Sequence, residues 1–127
     1  MLEVKSRKPM EFSKLGDPFV NFIYSLALSK TFKRPVGKKV SNLILSEALA
    51  RSGIRERAGS RMRREELGDY AEGLIFMAWA EEKMTIEGAV DILSESLSPQ
   101  HSRGKLREES IEAFENLLRH VVELCQI

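Results

Sequence analysis

The chain has 127 residues, a formal net charge of +1 and one cysteine, Cys125. That length fits one compact domain able to bury a core without covalent staples, and a lone cysteine excludes an intrachain disulfide or a CxxC site. A near-neutral balance excludes a strong global field, so any attraction to nucleic acid has to come from a local patch.

In chain order the pattern is all-helical. Residues 1–14 are charged and irregular and read as an N-terminal arm, followed by a single helical domain over 15–127. They hold no apolar signal-peptide core. Asp17 suits an N-cap and Pro18 the first helical position, which predicts a helix from about 17 to 32. Its apolar positions are Phe19, Val20, Phe22, Ile23, Leu26 and Ala27. After Pro35 and Gly37, a second helix is expected over about 37–52, with Gly53 as its stop. Residues 53–64 are basic and read as a short turn and loop. A long helix follows over about 65–83, then one capped by Thr85 and running to about 97. The loop SPQHSRG separates it from a last amphipathic helix over about 103–125. No apolar run reaches the roughly 20 residues a membrane span needs. With the single cysteine, this makes a cytoplasmic setting the expectation.

Two acidic motifs open the two most apolar stretches. Leu15-Gly16-Asp17 runs into PFVNFIYSLAL, and Leu67-Gly68-Asp69-Tyr70-Ala71-Glu72 runs into GLIFMAWA. Apolar helices exclude carboxylates, because an unpaired buried charge costs several kcal/mol. Asp69 and Glu72 are three apart and share a helix face. The core stripe of that helix is Leu67, Ala71, Leu74, Ile75 and Ala78, yet the carboxylate face also continues into apolar residues, Phe76 and Ala80. A helix apolar nearly all round is a buried helix. Gly73 leaves a gap for a backbone, a substrate or a water. Read singly, Asp17 is a plain N-cap, and Asp69 and Glu72 are first-turn acids complementing a helix dipole. Read together, three hard oxygen donors suit Mg²⁺ or Mn²⁺, and such carboxylate clusters cleave phosphodiesters.

These residues resemble the ribonuclease III endonuclease domain. The family's first motif is seen in Phe12-Ser13-Lys14-Leu15-Gly16-Asp17, and its Asp-x-x-Glu-Ala-Leu-Ile-Gly in Asp69-Tyr70-Ala71-Glu72-Gly73-Leu74-Ile75-Phe76. The intervening Val40-Ser41-Asn42 segment also fits. The likeness is to compact forms without a separate double-stranded-RNA-binding domain. It implies an all-α ribonuclease III-like bundle, a homodimer and a Mg²⁺-dependent endoribonuclease acting on double-stranded or structured RNA. Asp17, Asp69 and Glu72 would then be the catalytic metal ligands. One position departs: the family's Glu four residues before the first Asp falls on Ser13, and Glu11 is out of phase with it. The alternative is a degenerate ribonuclease III-like module that binds RNA or dimerises without cutting. A helical interaction domain with only a superficial likeness is a third reading.

Lys38, Lys39, Arg55, Arg57, Arg61, Arg63 and Arg64 are candidates to grip RNA phosphates, or else form a solvated basic surface paired with nearby glutamates. Asn21, one turn after Asp17, is an auxiliary candidate that orients a water or satisfies a buried polar contact. Tyr70, Trp79, Phe19, Phe22, Met77 and Cys125 read as core residues, with some aromatics open to a dimer seam. His101 and His120 have no partners at metal-ligand spacing.

Overall fold

The computed structural model describes residues 7–54, 62–99 and 102–125. Five α-helices follow along them: α1 (Ser13–Phe32), α2 (Asn42–Ser52), α3 (Arg64–Ala80), α4 (Ile86–Glu95) and α5 (Arg103–Cys125). A 3-10 turn over Pro9–Phe12 leads directly into α1. Among the described residues there is no strand, so the expected all-α bundle is what forms. None of these helices is long and apolar enough to cross a membrane.

The helix that is apolar all round takes the centre. Every residue of α3 from Tyr70 to Phe76 is buried, and the helix packs against α1, α2, α5 and the 3-10 turn. Val20, Ile23, Leu45, Leu49, Leu74, Ile75, Phe114 and Leu117 meet in one core, each side chain contributing about 1.5–3 kcal/mol by leaving water. A second cluster joins Phe12, Phe76 and Ala80, with Phe12 stacked on Phe76 at 5.6 Å between ring centroids.

Close helix contact needs small residues. A Cβ on Gly16 would run into the backbone of Glu72, so α1 and α3 nearly touch there. A Cβ on Gly73 would overlap the carbonyl of Pro9. The approach expected at Gly73 is therefore made by backbone, that of the 3-10 turn.

Several boundaries differ from the periodicity reading. Helix α1 begins at Ser13, which puts Asp17 and Pro18 inside it rather than at its cap. The cause is Phe12, whose burial on Phe76 carries the helical path back to the 3-10 turn. Helix α2 begins at Asn42, capped by Ser41, whose Oγ accepts from the Ile44 N–H at 3.2 Å. The preceding residues form instead an extended strap antiparallel to α1. Ser29 Oγ accepts from the Val36 N–H (2.8 Å), Ser25 Oγ from the Lys38 N–H (2.9 Å) and Asn21 Oδ1 from the Val40 N–H (2.9 Å). Helix α3 stops at Ala80 rather than near 83, because Glu82 takes a left-handed conformation (φ 61°) and the Lys83 N–H closes onto the Ala78 carbonyl at 2.9 Å. Thr85 caps α4 as expected, accepting from the Gly88 N–H at 2.9 Å, and Gly53 ends α2 with φ 80°. Phe22 and Leu26 are exceptions among the apolar positions expected of α1, being 51% and 36% exposed.

Candidate active-site cleft

The crossing of α1 and α3, roofed by the strap and the start of α2, leaves an open cleft of about 570 Å³. Asp17 reaches it from α1, Asp69 and Glu72 from α3, and Lys39, Ser41 and Asn42 from the roof. Ser13 and Lys14 complete the α1 wall. The three carboxylates picked out by the two motifs therefore open onto one space.

Their environments differ. Glu72 is only 5% exposed, while Asp17 and Asp69 are partly open. Burial pushes the Glu72 carboxyl up to about 8, helped by its hydrogen bond to Asp17 and by the negative charges of Asp17 and Asp69, with Lys39 pulling the other way. Asp17 and Glu72 thus form a contacting pair, and their closeness adds to burial in favouring the protonated form of Glu72. Asn21 fixes the Asp17 side of that pair: its Nδ2 donates to Asp17 Oδ1 at 3.4 Å while its Oδ1 takes the Val40 N–H. Through these two contacts Asn21 ties the strap to the acid.

Among the described residues no three His, Cys, Asp or Glu side chains stand close enough to one point to form a ready-made metal cage. What is present is a pair of contacting carboxylates with a third facing the same cleft. This is a partial set of hard oxygen donors, of the kind a small divalent cation completes with water.

Of the basic candidates, Lys39 lines the cleft, and Lys38 is exposed beside it on the strap. Arg63 pairs with Glu66 at 3.3 Å and Arg64 with Glu47 at 3.4 Å, both on the surface. Such exposed pairs are weak and leave the guanidiniums available. Arg55, Arg57 and Arg61 lie outside the described residues, as does His101. Glu11 does not stand in for the family's missing Glu. Its carboxylate accepts from the Lys8 N–H at 2.8 Å and pairs with Arg7 at 3.3 Å, away from the cleft. Lys14 and Asn42 belong to the cleft although motif reasoning assigns them no role in it. Lys14 is three residues before Asp17 and so shares its helix face, a signal the sequence does carry. Asn42 is placed by the Gly68 gap, where a Cβ would collide with the Asn42 amide.

A helical bundle whose central helix and an adjoining helix gather carboxylates at their crossing is the class that this fold and cleft define. A model of the Ribonuclease III family matches residues 10–126, nearly the whole chain. The chain belongs to the ribonuclease III family, a family of RNA-binding, RNA-processing endoribonucleases. No match was found among curated proteins.

Proposed function

We propose that the protein is a Mg²⁺-dependent endoribonuclease, with Mn²⁺ able to replace Mg²⁺, acting as a cytoplasmic homodimer on double-stranded or structured RNA. The observation that carries this reading is that Asp17, Asp69 and Glu72, from two separate family motifs, open onto one cleft. Asp17, Asp69 and Glu72 would hold the ion. When bound, it supplies Lewis-acid activation of water and charge neutralisation at phosphorus. The chain's own residues do the rest. Asn21 orients the Asp17 carboxylate. Lys38, Lys39, Arg63 and Arg64, with the arginines of 55–61, meet the phosphate backbone. Recognition through phosphates and 2′-hydroxyls suits an A-form duplex. Hydrolysis adds a water oxygen to phosphorus and breaks one P–O ester bond, with the protons exchanged through the open cleft. Leu15 (45% exposed), Phe22 (51%) and Leu26 (36%) form an apolar stripe on α1. That stripe supports the dimer reading, and Phe22→Glu is expected to yield monomers in light scattering.

Long duplex RNA incubated with Mg²⁺ tests the activity. Cleavage is expected, and Asp17→Asn or Glu72→Gln should each lower it by about 100-fold or more. Cleavage that survives both changes would remove the roles assigned here. The second reading, a module that binds RNA without cutting, is favoured by Ser13, which lines the cleft where the family places a Glu. Tight binding at low salt with saturating metal and no product would select it.

A further inference from the structure

A two-ion phosphodiesterase site holds its cations about 3.5–4 Å apart and needs anionic ligands for both. This cleft is lined by three acids, with Ser13 in the position of a fourth, and by two lysines, Lys14 and Lys39. Ionised in full, three negative charges face two positive ones. That balance accepts one divalent ion readily and opposes a second.

The two lysines are not equivalent. Both are exposed, and they differ in the backbone that carries them: Lys14 stands on the first turn of α1, Lys39 on the strap. Lys39 lies between two anchored strap residues: Lys38, whose N–H and carbonyl both bond Ser25 Oγ at 2.9 and 3.0 Å, and buried Val40, held by Asn21. Its backbone cannot drift from the cleft without breaking these bonds. Asn21 also touches Asp17, so one side chain sets the spacing between a ligand carboxylate and the backbone carrying the ammonium.

We propose that the cleft takes a single divalent ion and that the Lys39 ammonium supplies the second positive charge to the scissile phosphate. This rests on the nuclease reading above and specifies how its site is charged. An ammonium is a compact point charge with three donors, suited to a phosphate oxygen.

Two measurements test it. Paramagnetic titration of the unmodified protein with Mn²⁺ should count one ion per chain. Lys39→Met should keep that count and bind Mn²⁺ severalfold more tightly, because a like charge is gone. The same variant should lower kcat on duplex RNA by about 100-fold, the usual cost of one lost transition-state donor, with a much smaller change in KM. Lys39→Arg, which keeps the charge, should retain most of kcat. Two Mn²⁺ ions per chain, or Lys39→Met cleaving at the unmodified rate, would overturn the single-ion proposal and leave the nuclease reading standing. No Mn²⁺ bound at all would overturn both.

Discussion

Leu15-Gly16-Asp17 and Leu67-Gly68-Asp69 are the same three residues in two settings. In the first, the leucine is 45% exposed; in the second it is 2% exposed. Gly16 faces unyielding backbone at Glu72, whereas Gly68 faces the movable amide of Asn42. Asp17 is tethered by Asn21, while Asp69 makes no hydrogen bond or ion pair that involves the described residues alone. The difference comes from position in the bundle. Helix α3 is central and buried continuously from Tyr70 to Phe76, and α1 keeps one face on solvent. The shared tripeptide does one thing in both places: a glycine lets a neighbour come close, and the next residue points an acid into the cleft. Everything else about each copy is set by what packs against it.

The contrast can be broken most forcefully at Glu72, the acid nearest the point where the two motifs meet. Its folded-state pKa of about 8 lies above the ordinary 4.5. Between those values the folded protein binds a proton that the unfolded chain has released, so stability falls as pH rises and levels off above about 8. Glu72→Gln should flatten that slope and leave the metal-free protein roughly 2–4 kcal/mol more stable than the unmodified protein at pH 8, with little difference at pH 4. Urea denaturation at the two pH values measures it; equal slopes in both proteins would remove the buried-acid assignment. By the same linkage, divalent cation should stabilise the unmodified protein more at pH 8 than at pH 6.

The next effect separates the two glycines. Gly16→Ala forces α1 away from the Glu72 backbone, and overpacking of this kind costs about 1–3 kcal/mol. A loss of cleavage should accompany it, since the same crossing sets the Asp17–Glu72 contact. Gly68→Ala should be the mildest, within about 1 kcal/mol of the unmodified protein. Asn42 can swing aside and alanine adds helix propensity of about the same size. Thermal unfolding of the pair side by side sharpens the comparison; equal losses would mean that the two crossings are equally rigid.

The bundle and its central helix were legible because burial on all sides is written in composition. Leu67, Ala71, Leu74, Ile75 and Ala78 follow a helical period and all are buried. The start of α1 was less legible, since Asp17-Pro18 has good cap chemistry and local signals outvoted the apolar spacing Phe12, Gly16, Val20. The left-handed Glu82 ended α3 without the glycine that would have announced it. The exposed Phe22 reads as core by its period, and only the neighbours of α1 reveal that the described residues leave it half open. In the cleft, the acids came from motif spacing. The contact of Glu72 with Asp17 spans fifty-five positions, and no local pattern encodes it.

The strap beside α1 has a consequence for how the chain tolerates change in length. Its anchors on α1, Asn21, Ser25 and Ser29, recur every four residues, a rise of about 6 Å. Their partners Val40, Lys38 and Val36 recur every two residues of extended chain, about 6.6 Å. The two repeats run in step like the scales of a vernier. One residue inserted or deleted between Val36 and Val40 would throw the scales out of step and turn Lys39 to the opposite side of the strap, so this short connection is gauged to its length although it lies on the surface.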